Sequence, residues 1–177
     1  PLGTDEFGRD ILARIVHGSR MSLIISFTSV AISLVIGGIC GALSGYFGGR
    51  IDNLIMRITD ILLAIPMTLF AIVIVAALGP STKNLAIALA ASSIPVFARI
   101  VRSAVLTVRD VEYIEAARAI GATNGTIILG HVLPNCLSPI IVQVTLRIAN
   151  AIYNTAALSF LGMGVQAPDP EWGGMLS

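Results

Sequence analysis

Long runs of apolar residues, separated by short polar stretches, dominate the chain. Four of these runs are almost free of charged residues and are each more than 20 residues long: 21–49, 61–82, 84–108 and 137–161. A helix needs about 20 residues to cross about 30 Å of hydrocarbon, so each run is long enough to span a membrane. The pattern predicts an all-α integral membrane protein, a bundle with four transmembrane helices in this sequence.

Composition strengthens this interpretation and excludes several functions. Hydrophobic residues make up 55% of the 177 positions and charged residues 12%, against about 25% charged in soluble domains. The net charge of +1 provides no basic field for nucleic acid, so no nucleic-acid partner is expected. Cys40 and Cys136 are far apart and lack the spacing of a metal site, so we interpret them as packing residues and expect no metal and no cofactor.

The distribution of arginine and lysine predicts the orientation in the membrane. The loop after the first run and the segment between the third and fourth hold most of them, at positions 50, 57, 99, 102, 109 and 118. The loop "GPSTKN" between the second and third runs holds only Lys83. Because cytoplasmic loops carry the excess of positive residues, the 109–135 segment is predicted to be cytoplasmic and "GPSTKN" external. The arginines at 9, 14 and 20 oppose this orientation.

The orientation divides the chain into three regions. Residues 1–20 are predicted to form an external amphipathic helix in the membrane interface, and residues 162–177 an external loop. Residues 21–161 form the transmembrane domain between them. Within it, Gly37, Gly41 and Gly45 recur every four residues and predict close packing of the first span against another helix.

Two prolines interrupt the predicted spans. Pro66 lies in the second span and Pro95 in the third. Each removes a hydrogen bond within its helix, so both spans are expected to be kinked.

The stretch "EAARAIGATNGTIILGHVLPN", from Glu115 to Asn135, differs from the rest of the chain. Asp110 is a plausible N-cap and Gly121 a plausible left-handed C-terminal residue for a helix of about 10 residues, which at about 15 Å is too short to cross a bilayer. A second short helix is expected to begin at Thr123 or Asn124 and to end at Pro134. Both helices should lie at the membrane surface.

One side of each short helix is apolar. The first helix is expected to leave its side chains free for a partner, and the apolar side of the second is expected to hold it against the bundle. The apolar positions of the first helix are Ile114, Ala117, Ile120 and Gly121, and those of the second are Ile127, Ile128, Leu129, Val132 and Leu133. A DNA-reading helix-turn-helix is an alternative, but the segment lies between two spans and has few arginines to contact bases. A merely structural cytoplasmic loop is the stronger alternative.

The spacing of this stretch resembles the EAA loop of permease subunits in binding-protein-dependent ABC importers. The matching positions are Glu115, Ala116, Ala117, Gly121, Leu133 and Pro134, whereas His131 stands where many members have isoleucine. "HVLPN" is similar to the dipeptide, oligopeptide and nickel branch, as are "LGTDEFGRDILARIVHGSRMSL" near the start and "ALSFLGMGVQAPDPEWGGML" near the end. The resemblance covers essentially the whole chain.

The resemblance implies a site, partners and a location. In such permeases the EAA helix couples to a cytoplasmic ATPase, which assigns this role to the following residues of the loop: Glu115, Ala116, Ala117, Arg118, Gly121, Leu133 and Pro134. The implied partners are a second, similar permease, two cytoplasmic ABC ATPases and an external solute-binding protein, in a prokaryotic cell membrane. One further span is expected before Pro1 and one after Ser177, six in all.

The function implied is ATP-driven import of peptides, with nickel or a nickel chelate as the alternative solute. The sequence has no phosphate-binding G-x-x-x-x-G-K-[ST] loop, so the chain is not expected to be an enzyme, and ATP hydrolysis is expected in the partner subunits. A membrane-bound enzyme and a secondary transporter are weaker alternatives. They would need clustered catalytic groups or paired intramembrane acids, which the spans lack.

Arg147 is the one charge well inside a predicted span. An arginine near the midplane costs roughly 2.5 to 3.5 kcal/mol on insertion scales, so it should not face lipid. Asn150 and Asn154 share its helical face. The sequence therefore predicts that these three residues line the translocation pathway, with a structural pair to the second permease as the alternative.

Overall fold

The computed structural model describes residues 2–5, 7–165 and 169–176. Parts of the predicted regions 1–20 and 162–177 lie outside the described residues, namely Pro1, Glu6, residues 166–168 and Ser177. Within the described part, the chain is helical and has no strand, only an isolated bridge between Thr4 and Asp10. The prediction of an all-α membrane bundle is confirmed.

The helices follow one another with short connections. They are α1 (Ile11–Phe47), α2 (Gly49–Leu63), α3 (Met67–Leu78), α4 (Thr82–Val108), α5 (Glu112–Ala119), α6 (Asn124–Ile127), α7 (Leu133–Asn135) and α8 (Leu137–Phe160). A π-helical turn, Ile128–Val132, joins α6 to α7.

The first helix is longer than the sequence analysis predicted. α1 runs without a break for 37 residues, about 55 Å. The prediction of a separate helix that ends at residue 20 is therefore wrong. No proline or other helix breaker separates Arg20 from the apolar run that follows. The external, interfacial position of the first residues stays a prediction.

The second predicted span is not one helix. Its first residues belong to α2, an amphipathic helix that the sequence analysis missed, and α3 begins only after Pro66. Pro66 thus separates two helices rather than bending one, since it has no N–H to continue a helical ladder. Pro95, in contrast, lies inside the continuous helix α4.

Among the described residues, two helices, α1 and α4, are individually long and apolar enough to cross a membrane. The number rises to four if each of two bent pairs, α2 with α3 and the Asn124–Asn135 segment with α8, counts as one span. The predicted four spans are therefore matched only when broken spans are counted.

The chain forms two compact units. The first comprises Pro1–Ala31, Pro66–Ser92 and Arg147–Ser177, and the second comprises Ile32–Ile65 and Ser93–Leu146. The core of the first unit consists of aliphatic side chains from four helices: Ile25, Ala71, Val75, Leu85, Ala86, Ala88, Leu89 and Leu158. The second unit has its own core and contains the segment 109–135.

Candidate functional site

The segment that resembles the EAA loop begins with α5. Its N-cap is Val111 rather than the predicted Asp110, whose carboxylate instead accepts a hydrogen bond from Arg109 Nε at 2.9 Å. With no side-chain cap, the acidic residues of the first turn, Glu112 and Glu115, provide the favourable charge at the positive end of the helix.

The end of α5 has the predicted left-handed glycine. Gly121 has a φ of +82°, and its N–H donates to Arg118 O at 3.0 Å. The next N–H, of Ala122, donates to Ala117 O at 3.1 Å. These two bonds form a Schellman motif, in which the left-handed residue reverses the chain so that two orphan carbonyl groups are satisfied. Gly121 therefore sets the direction in which the chain leaves α5.

One face of α5 is buried and the other is exposed. Ile114 is fully buried and Ala117 is 7% exposed, whereas Glu115, Ala116 and Arg118 lie on the surface. The helix therefore presents a small, mixed-charge surface.

Two residues assigned to the apolar face of α5 do not share the burial of Ile114 and Ala117. Ile120 is 86% exposed, and Gly121 is exposed as well. The helix ends at Ala119, so the helical periodicity that grouped these residues with Ile114 and Ala117 no longer applies to them.

The second helical piece starts as predicted but does not end as predicted. Thr123 caps α6, its Oγ1 accepting from the N–H of Thr126 at 3.3 Å. Pro134 does not end the helical segment. It lies in the first turn of α7, where its missing N–H is not needed, after a π-helical turn has changed the hydrogen-bonding register.

The second piece is anchored by fewer side chains than expected. Ile127 and Val132 are completely buried, and Ile128 and Leu133 pack partly against the same core. Leu129 is 70% exposed, so its predicted contact with the bundle is wrong. The π-helical turn changes the angular position of the residues within it, and an α-helical pattern does not anticipate this shift.

The loop lies on the core of the second unit. Buried side chains of α1, α4, the loop and the start of α8 form this core: Ala42, Tyr46, Val101, Ala104, Val105, Ile114, Ala117, Ile127, Val132, Cys136 and Ile140. The loop is therefore attached to helices of the bundle and is not a free surface segment.

Tyr46, near the end of α1, contacts both parts of the loop. Its hydroxyl donates to Asn124 Oδ1 at 3.0 Å, and the guanidinium carbon of Arg118 lies 5.3 Å from its ring centroid, a cation–π distance. Sequence reasoning missed this residue. The available signal was a hydroxylated aromatic at the predicted cytoplasmic end of the first apolar run, where such rings are enriched.

The residues just before Tyr46 are also tied to other helices. Gly45 O accepts from Arg109 Nη1 at 2.8 Å, and Ser44 Oγ donates to the carboxylate of Asp52 on α2. Arg102 of α4 binds the same carboxylate through two nitrogens, with Nη2 at 2.6 Å from Oδ2. A bidentate pair of this kind fixes the orientation of both side chains.

The three predicted packing glycines all lie against α4. A Cβ on Gly37 would lie 2.6 Å from Ile94 O, and one on Gly45 would lie 2.8 Å from Val105 Cβ. A Cβ on Gly41 would overlap Ala98 O. The two helices therefore approach so closely along residues 37–45 that even a methyl group has no room.

Arg147 belongs to the first unit. Its Nη1 lies 3.9 Å from the sulfur of Met67, the first residue of α3, and its buried Nε has no hydrogen-bond partner among the described residues. Asn154 is buried and its amide donates to Asn150 O at 2.8 Å within α8. Arg147 is therefore a half-buried cation for which the described residues supply no anion.

The described part of the final segment folds back on α1. Glu171 is 2% exposed and accepts from Ser22 Oγ at 3.0 Å and from the N–H of Gly173 at 2.9 Å. Trp172 Nε1 donates to Ile15 O at 3.0 Å. Within residues 2–5, 7–165 and 169–176, no cluster of three or more His, Cys, Asp or Glu side chains could hold a metal ion.

Long apolar helices together with a short amphipathic surface loop define an integral membrane protein. The chain belongs to the family described as the binding-protein-dependent transport system inner membrane component, which it matches over residues 33–177. The resemblance to the permease family is confirmed.

Curated relatives are similar over nearly the whole chain. The dipeptide transport system permease protein DppC of Alkalihalophilus pseudofirmus is 55% identical over 175 residues, and the di/tripeptide permease DppC of Pseudomonas aeruginosa is 50% identical over 176. The glutathione transport system permease protein GsiD of Pectobacterium atrosepticum is 47% identical. Each comparison covers 99% of this chain but only 58% of the relative, so the chain spans little more than half the length of these proteins.

A solved structure has the same fold. The inward-facing MetNI methionine ABC transporter aligns with a TM-score of 0.77 at 24% sequence identity, over 88% of this chain and 77% of the other.

Proposed function

We propose that the chain is the membrane-spanning part of a permease subunit in an ATP-driven importer of peptides. The observation that carries the proposal is the loop of residues 112–135, with its apolar side buried, its polar side exposed and Gly121 in the left-handed conformation. This arrangement leaves Glu115, Ala116 and Arg118 free to contact another protein at the membrane surface.

The loop is the proposed coupling site. Partner ATPases would bind its exposed face, and the buried Ile114 and Ala117 would transmit their movement to the bundle. Gly121 gives α5 its defined end, Leu133 packs partly against the core, and Pro134 lies in the first turn of α7. A second permease, two cytoplasmic ATPases and an external solute-binding protein complete the proposed complex, which is located in the inner membrane of a prokaryote.

The proposed pathway residues are Arg147, Asn150 and Asn154. A half-buried guanidinium needs either water or an anion, because leaving the charge unpaired in a low-dielectric interior is costly. The contact with Met67 provides neither. A water-filled pathway used by carboxylate-bearing peptides would satisfy this requirement, as would an acidic side chain of the second permease.

Peptides are favoured over nickel as the solute. The relatives reported above carry names that refer to dipeptides, di- and tripeptides and glutathione. The described residues also include no cluster of metal-binding side chains, although selection by the external binding protein would not require one.

Reconstitution of the complete complex tests the proposal. Proteoliposomes containing the full-length permease pair and ATPases, with the binding protein outside and ATP inside, should accumulate a radiolabelled dipeptide. ADP in place of ATP is the control, and radioactive Ni²⁺ is the second arm. Uptake driven by a proton or sodium gradient without ATP would refute the proposed class, whereas ATP-dependent uptake of Ni²⁺ alone would refute only the peptide assignment.

A further inference from the structure

Tyr46, a side chain of α1, makes polar contacts with both α5 and α6. Arg118 lies before Gly121 and Asn124 lies after it, so the two contacts join α1 to either side of the glycine turn. The ring is 8% exposed and belongs to the core of the second unit. The hydrogen bond between the hydroxyl and Asn124 is partly buried, and Asn124 itself is exposed, so removing the hydroxyl breaks the contact without leaving a buried amide unsatisfied.

The end of α1 has little freedom to move independently of its neighbours. The residue before Tyr46 binds Arg109 through its carbonyl group, and Ser44 binds the Asp52 carboxylate that Arg102 also holds. Gly45 is thus attached to the start of the loop segment. Ser44 is attached to α2 and, through Asp52, to α4. Tyr46 adds a direct polar contact through which a displacement of α5 or α6 can reach α1.

We infer that Tyr46 is a positioning residue for coupling, which holds the two parts of the loop to the end of α1 and transmits loop movement to this membrane-spanning helix. The inference rests on the proposed function and names a residue outside the EAA pattern. The ring binds Arg118 and the hydroxyl binds Asn124, so the two contacts can be removed separately.

The test uses the reconstituted complex and measures the amount of dipeptide imported per ATP hydrolysed. Tyr46→Phe keeps the ring beside Arg118 and removes the hydroxyl. A neutral hydrogen bond that is made in only one of two conformations changes the ratio of their populations about fivefold. We therefore expect the import per ATP to fall by about that factor. Asn124→Ala should have a similar effect, and the double variant should be no worse than either single variant. Tyr46→Leu, which removes both contacts, should lower the ratio further.

Tyr153→Phe is the matched control, since it removes the hydroxyl of a tyrosine that is 73% exposed on α8 and should leave the ratio unchanged. Size-exclusion chromatography verifies assembly, and if Tyr46→Leu does not assemble, Tyr46→Phe and Asn124→Ala decide the question. Wild-type import per ATP in assembled Tyr46→Phe and Asn124→Ala complexes would overturn the inference while the proposed function stands. Absence of ATP-dependent import by the wild-type complex would refute both.

Discussion

Substitution of Gly121 by valine tests whether the left-handed conformation of the glycine turn is needed for coupling. A Cβ at this position would have no neighbour within 4 Å, so the substitution causes no steric clash with the rest of the protein. Its cost arises from the φ of +82°, which a β-branched residue adopts at about 1 to 3 kcal/mol. The loop can accept this strain or rotate the residue to negative φ.

Rotation would break the two Schellman bonds at Arg118 O and Ala117 O and change the direction of the chain into α6. Ile114, on the buried face of α5, remains buried in either case, so the spans should stay folded. We therefore expect Gly121→Val to insert and assemble but to lose most of its ATP-dependent peptide import.

Three measurements are needed on the same proteoliposomes: assembly, ATP hydrolysis and dipeptide uptake. Gly125→Val is the matched control, because Gly125 also has no neighbour within 4 Å of a Cβ but lies in α6 without positive φ. Gly121→Asn should retain part of the activity, since asparagine tolerates the left-handed conformation. Wild-type uptake by Gly121→Val would show that the turn geometry is not needed for coupling.

The other predictions concern packing, the pathway and orientation. Gly41→Ala should lower the free energy of unfolding by about 1 to 3 kcal/mol, because the methyl group would overlap a carbonyl oxygen of α4. Gly38→Ala, which has open space, is its control, and equal thermal stability of the two variants would contradict the packing argument. Arg147→Cys should be alkylated by a small water-soluble reagent at a rate that changes when ATP is trapped on the partner ATPases; a site inert in every nucleotide state would make it a buried structural charge. A cysteine replacing Ser81 should react with an impermeant maleimide in intact cells and one replacing Asn124 should not, and the reverse pattern would overturn the orientation.

The parts of the fold that follow local rules were predictable from the sequence. Gly121 is the residue that fits a left-handed helix end, and Thr123 has the hydroxyl that an N-cap needs. Ile114 and Ala117 are three residues apart on one helical face, and both are buried. The two short helices of the loop could therefore be placed before any neighbouring helix was known.

The features that depend on partners in space could not be predicted in the same way. Tyr46 contacts Asn124, which is 78 residues away in the sequence, and Asp52 contacts Arg102, which is 50 residues away. Helical periodicity assigns a residue to one side of its own helix but does not say whether another helix covers that side. Leu129 is an example: it is apolar and lies in the predicted helix, yet nothing in the described structure buries it.

The break between α2 and α3 restricts how this part of the chain meets the membrane. α3 has 12 residues, about 18 Å, which is shorter than about 30 Å of hydrocarbon. Its first turn has no side-chain cap, and residues 64–66 are exposed. Peptide groups at such a break cannot face lipid, because hydrocarbon offers them no hydrogen-bond partner.

The arginine distribution nevertheless predicts a crossing between residues 57 and 82. Without one, α4 alone would separate the loop containing Arg50 and Arg57 from the segment containing Arg109 and Arg118, and positive residues would be concentrated on both sides of the membrane. With the orientation predicted here, this part of the chain crosses the membrane. The break at Pro66 must then lie beside water or beside another protein surface, and Met67, the neighbour of Arg147, is the first residue after it. The break at Pro66 and the guanidinium of Arg147, which has no anionic partner among the described residues, therefore both require a polar environment at the same end of α3, as the proposed translocation pathway would provide.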